Sequence, residues 1–142
     1  MSKTDLLIVV HPGSLCGSLW WSAAKPQATT DAIIAEIDGW TGPKVAVYGE
    51  LEDELDDRAY RDLANSVNAI SDIVDGDPSK DGLTDAARDI LRLHPSETLN
   101  RVVVTGAWAD PDSGCVNMVA DALRILAPGL TVEISPNAAV EG

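Results

Sequence analysis

Two residues in this chain have the types and the setting for covalent chemistry. Cys115 lies in the segment Val102-Val103-Val104-Thr105-Gly106-Ala107-Trp108-Ala109-Asp110-Pro111-Asp112-Ser113-Gly114-Cys115-Val116, where an apolar strand leads through a loop into a helix. The spacing puts the cysteine in the first turn of that helix, with Ser113 as its N-cap. Unpaired N–H groups and the positive end of the helix dipole favour a thiolate there. The plainer alternative is a small apolar residue packing the helix start, since free cysteine is commonly buried and inert. His11 directly follows the apolar run Leu6 to Val10. An imidazole titrates near neutrality and can take the proton of a thiol. A His11–Cys115 dyad, with backbone N–H groups near Gly114 and Cys115 facing an oxyanion, is one reading. A strand-end histidine hydrogen-bonded to a loop is the other.

The residues after His11 read Pro12-Gly13-Ser14-Leu15-Cys16-Gly17-Ser18-Leu19-Trp20-Trp21. This Gly- and Ser-rich turn can cradle an anion with backbone N–H groups. It is neither a dinucleotide fingerprint nor a phosphate-binding P-loop, because three residues separate Gly13 from Gly17 and no Gly-Lys-Ser/Thr follows. No Gly-x-Ser-x-Gly elbow follows either, so an α/β-hydrolase serine site is excluded. Trp20, Trp21 and Trp108 fall in the same two segments and could wall an apolar pocket, or serve a core or an interface. The substrate-binding candidates are Gly13, Ser14, Trp20, Trp108, Asp110 and Gly114. Cys16 and Cys115 could form a redox pair, with a simple buried thiol as the alternative. His94 precedes Pro95 at a helix end and suits a partner of the C-terminal dipole. The acidic run Glu50 to Asp57 lacks EF-hand spacing and reads as a solvated loop leading into a helix. The Cys and His residues show no metal-ligand spacing, so neither a metal nor a cofactor is expected.

The elements that must position these residues are short. Leu6 to Val10, Lys44 to Tyr48 and Arg101 to Thr105 are continuous apolar runs, as for strands buried on both faces. Leu130 to Ile134 alternates more and suits an edge. Helical periods lie between them: Ile33, Ile37 and Trp40; then Tyr60, Leu63, Ala64, Val67, Ile70 and Val74; then Leu83, Ala86, Ala87, Ile90 and Leu91; then Val116, Val119, Ala120, Leu123 and Ala127. Asp75 to Gly82 reads as a loop between two helices. Pro95 and Pro128-Gly129 stop the last two helices. The pattern β-α-β-α-α-β-α-β predicts an α/β domain with a short parallel sheet and helices on both faces, a Rossmann-like three-layer α/β/α sandwich. Right-handed crossovers give the strand order 2-1-3-4. Ligands in such sheets bind beyond the carboxyl ends of the strands flanking the switch in order, here the segments after Val10 and Thr105.

Composition narrows the partners. The 142 residues carry 10 basic and 23 acidic side chains, a net charge of −13. Phosphate backbones and anionic membranes recruit Lys and Arg, so neither nucleic acid nor a membrane is an expected partner. The acidity reads as a solubilising surface or as adaptation to a salty cytoplasm. No apolar run reaches the roughly 20 residues of a membrane span, and no signal peptide is recognised, so a cytoplasmic location is expected. The length suits one domain, 1–142.

Over Val102 to Glu141 the sequence resembles the isochorismatase-like cysteine hydrolases. In that family an apolar strand runs into a Gly-x-x-Thr-Asp-x-Cys-Val type of segment, then a helix with an Ala-x-x-Ala-like pattern, a strand and a short acidic or Ala-Val ending. Strand 1 (LLIVV) and the helix–strand pair ending at Lys44 to Tyr48 fit the same layout. The resemblance implies a single isochorismatase-like domain with Cys115 as nucleophile. The family's enzymes also use an Asp at the end of strand 1 and a mid-chain Lys. Here His11 stands at the first position and no lysine matches the motif, Lys80 lying only in the same general stretch. Four residues, Pro111 to Gly114, separate Asp110 from Cys115, and the region after strand 2 is reduced.

Three readings follow. The first is a divergent cysteine hydrolase that attacks a small-molecule amide or related carbonyl through Cys115, with His11 as base. The second is a non-catalytic relative serving as an oligomeric assembly or binding module. The third is a small-ligand binder using the Gly13 to Ser18 loop. A homo-oligomer is expected, because so short a sheet leaves surface to cover.

Overall fold

Five short β-rich runs build the sheet. The computed structural model describes residues 3–11, 27–48, 61–70, 72–77, 79–107, 109 and 114–139. In chain order they form β1 (Thr4–Val10), α1 (Gln27–Gly39), β2 (Lys44–Tyr48), α2 (Arg61–Asn68), β3 (Asp72–Asp75), α3 (Lys80–Leu93), a 3₁₀ turn (Ser96–Thr98), β4 (Leu99–Gly106), α4 (Cys115–Leu126) and β5 (Thr131–Ile134). All strands pair in parallel, in the order β3-β2-β1-β4-β5. The fold is α/β, consistent with a Rossmann-like arrangement.

The order corrects the expected 2-1-3-4. The four foreseen strands keep their adjacency, but β3 extends the sheet beyond β2. The expected helix from Tyr60 to Val74 ends at Asn68, and Asp72–Asp75 turns into a strand. Ile70 and Val74 sit four apart and mimic a helical stripe, but tertiary pairing with Val45 to Tyr48 claims the second half of it. Asp75 to Gly82 therefore joins a strand to a helix, and α3 already begins at Lys80. The last strand does lie at an edge, as its alternation predicted.

β1 runs through the centre, with Leu6 to Val10 each fully buried. Successive side chains of a strand point to opposite faces. Leu6, Ile8 and Val10 accordingly join one apolar cluster, with Leu83, Ala86, Ile90, Val116, Val119 and Leu123 of α3 and α4. Leu7 and Val9 join a second cluster, with Ile33 and Ile37 of α1 and Leu63 and Val67 of α2. Each Val, Leu or Ile so buried contributes about 1.5–3 kcal/mol.

The connections are unequal. Those at the amino end of the sheet are short: residues 40–43 before β2, 69–71 before β3 and 127–130 before β5. Those leaving the carboxyl ends of β1 and β2 span residues 11–26 and 49–60.

The amino end is closed by a polar network. Asp5 accepts from Asn100 Nδ2 at 3.0 Å and from Arg101 Nε at 3.1 Å, while Arg101 also donates to Glu133 at 3.0 Å. These two hydrogen bonds hold the Asp5 carboxyl below its usual range.

Candidate functional site at the carboxyl edge of β1 and β4

β1 and β4 are neighbours, and the order reverses between them, because β2 follows β1 on one side and β5 follows β4 on the other. His11 is the first residue past β1, and Cys115 is the first residue of α4, which follows β4. Both candidates therefore belong to the edge that flanks the switch.

His11 is held firmly. Its backbone N–H donates to Val47 O at 2.9 Å, which tethers it to β2. Its φ is +43°, a left-handed value that histidine tolerates better than most residues. The ring is buried, and Nε2 lies 2.6 Å from the carbonyl oxygen of Gly76, in the turn between β3 and α3. A carbonyl only accepts, so Nε2 carries the proton and Nδ1 is the basic nitrogen of the neutral ring. Burial pushes the imidazole below its ordinary range, partly offset by the Gly76 bond and the nearby Asp77 carboxylate. The expectation of a strand-end histidine bonded to a loop matches this geometry.

Gly106 makes the approach of β4 to β1 possible. Its φ is +105°. A Cβ there would overlap the carbonyl oxygen of Val10 and lie 2.6 Å from its nitrogen. The tight join continues outward, where Ala107 N donates to Val10 O at 2.9 Å and Ala139 N to Gly106 O at 2.8 Å.

Cys115 opens α4, but its N-cap is Gly114 and not Ser113, and no side chain caps the helix. The thiol packs in the apolar cluster of α3 and α4 and is 9% exposed. Burial raises its pKa, so the resting group is a thiol, contrary to the thiolate that helix position alone favours. No hydrogen bond joins Cys115 to His11 among the described residues. The site thus holds a neutral thiol and a neutral imidazole, and chemistry there requires the proton to move as the sulfur attacks.

Of the other candidates, Gly114 is described and buried at the helix start. Gly13, Ser14, Cys16, Trp20, Trp21, Trp108, Asp110 and the run Glu50 to Asp57 lie outside the described residues. His94 is the C-cap residue of α3, its backbone N–H donating to Ile90 O. Its ring, however, serves Asp72 Oδ2 at 2.9 Å, tying the helix end to β3. Lys80 is the exposed first residue of α3. Among the described residues no cluster of three His, Cys, Asp or Glu could hold a metal, and no helix is long and apolar enough to cross a membrane.

Sequence reasoning missed the role of Gly76, whose carbonyl orients His11. The signal was present as a glycine directly after an unrecognised strand. A groove of about 530 Å³ lined by Asp5, Trp40 and Arg101 opens at the amino edge, away from both candidates. A second, of about 470 Å³, lies between α1 and α2, beside Asp31, Asp38 and Ser66.

Compared with protein-family models, with curated proteins and with solved structures, the chain finds no match.

Proposed function

We propose that the chain is a divergent isochorismatase-like cysteine hydrolase, of three-layer α/β/α form, acting on a small-molecule amide or related carbonyl. The observation that carries the reading is the oriented, buried His11 at the carboxyl end of β1, with Cys115 heading the helix that follows the adjacent strand. The bond to Gly76 O fixes the ring and leaves Nδ1 as the base, the third-group orientation that activated nucleophiles use. In the proposed step Cys115 Sγ attacks the carbonyl carbon and the thiol proton passes to His11 Nδ1. N–H groups at Gly114 and Cys115 stabilise the oxyanion. The amine leaves with that proton, and water then releases the acid from the thioester. Gly13, Ser14, Trp20, Trp108 and Asp110 are the proposed substrate-binding residues.

Burial of Cys115 and the absence of a bond to His11 favour a second reading, a non-catalytic binding or assembly module. Alkylation separates the two. In a Cys16→Ala background, iodoacetamide consumption by Cys115 is followed across pH with His11 intact and as His11→Asn. The hydrolase reading expects His11→Asn to slow the reaction near neutrality by at least about 10²-fold, the lower end of general-base contributions. Equal rates in the two proteins sink it and leave the module. A cytoplasmic homo-oligomer belongs to both readings. Leu93, Ile125 and Leu126, exposed at the ends of α3 and α4, support self-association, and sedimentation should then report more than the 15.0 kDa monomer.

A further inference from the structure

The groove between α1 and α2 has a volume of about 470 Å³, which is the size of a small-molecule site. Asp31, Ile34 and Asp38 of α1 line one wall. Asn65 and Ser66 of α2, with Ala69 just beyond it, line the other. Positions three and four apart share a helix face, so the α1 wall is one stripe: a carboxylate, an apolar side chain and a second carboxylate. The two aspartates are about 10 Å apart along the helix axis, from the rise per residue.

Ser66 adds a second polar feature to the same space. It is only 6% exposed, yet it lines the groove. Its hydroxyl makes no hydrogen bond among the described residues. Thr84 on α3 shows the ordinary alternative for a helical hydroxyl, with Oγ1 donating one turn back to Lys80 O at 2.7 Å. Side-chain polar groups so buried rarely stay unpaired without an occupant to serve them.

The charges around the groove favour a cation. α1 and α2 both run from the carboxyl to the amino end of the sheet, so their negative C-terminal ends lie on the same side. Neither helix has a basic residue in its last turn. α1 instead places Asp38 there, where the dipole disfavours an acid. Of the carbonyls at that end, Ile37 O is served by Lys44 Nζ at 2.9 Å. Asp31 takes part in a further interaction, but a carboxylate has about four acceptor positions, so room remains for an ammonium.

We infer that this groove binds a short aliphatic diamine. An ammonium at each end pairs with one aspartate, the methylene chain lies over Ile34, and the Ser66 hydroxyl accepts from one of the ammonium groups. An ammonium has three donors and no acceptor, which matches two carboxylates and a hydroxyl oxygen. The site uses neither Cys115 nor His11 and stands apart from the function proposed above.

Tetramethylenediamine is titrated into the full chain and followed by ¹H–¹⁵N NMR, with butylamine as the single-charge counterpart. The backbone signals of Asp31, Asp38 and Ser66 should shift saturably, and the diamine should bind at least about fivefold more tightly than butylamine. Asp38→Asn should bind the diamine at least about fivefold more weakly, the upper factor for one exposed ion pair. Ser66→Ala should bind it at least about twofold more weakly, the factor for a modest hydrogen bond. Glu97→Gln removes the same charge from the exposed 3₁₀ turn and should keep the parent's affinity. Shifts that do not saturate, butylamine binding as tightly as the diamine, parent-like affinity in Asp38→Asn and Ser66→Ala, or equal weakening in Glu97→Gln overturns the inference. The diamine would then only be screening the net charge of −13.

Discussion

Substituting alanine for Gly106 tests the joint on which the site depends. The residue sits at φ +105°, a conformation that costs a non-glycine residue about 1–3 kcal/mol. The added Cβ would also overlap Val10 O and lie 2.6 Å from Val10 N, both backbone atoms that cannot swing aside. Relief requires β4 to move off β1, which weakens the bonds from Ala107 N to Val10 O at 2.9 Å and from Ala139 N to Gly106 O at 2.8 Å. At about 1 kcal/mol for each of those bonds, the total destabilisation is about 3–5 kcal/mol. That is a large share of a typical stability of about 5–15 kcal/mol. The melting temperature should fall by roughly 10–20 °C, read by circular dichroism. Gly129→Ala is the control, because a Cβ there meets nothing within 4 Å. A Gly106→Ala protein that melts with the parent would refute the claim that this glycine lets β4 close on β1.

Two further outcomes follow from the same packing. Burial lowers the His11 pKa, so the unfolded chain takes up that proton more readily. Stability should be intact above about pH 6.5 and decline as pH falls below it, by up to about 1.4 kcal/mol per unit until the folded value is reached. Asparagine tolerates the left-handed backbone. Urea melts of His11→Asn at about pH 7 and about pH 5.5 should therefore lack this component, and an unchanged pH slope would contradict it. Leu83→Ala, at a fully buried position of α3, should cost about 2–5 kcal/mol, and a denaturant midpoint equal to the parent's would show that the core collapses around the gap.

Much of the frame was legible in the sequence because its strands are pure apolar runs. Lys44 to Tyr48 has the foreseen bounds, and β1 and β4 extend theirs by two or three residues. Pro95 and Pro128 marked where α3 and α4 stop. β3 was not legible. Its four residues include one buried side chain, Val74, and that valine fell in register with a helical stripe. The site was half legible. Residue type and order bring His11 and Cys115 to one edge. The protonation states depend on burial and on Gly76, which is far from His11 in sequence, and no local pattern encodes either.

The unequal connections carry a consequence for how such a chain can diversify. At the amino end, links of three to five residues and the Asp5–Arg101–Glu133 network leave little freedom, so length changes there would pull strands out of register. At the carboxyl end, residues 11–26 separate β1 from α1 and residues 49–60 separate β2 from α2, with His11 pinned to Val47 and Gly76. Length changes between those anchors would leave the strand pairing as it is, because connecting segments tolerate alteration that a shared strand does not. The sheet is thus a frame onto which segments of other lengths could be grafted at its carboxyl end with the strand order kept.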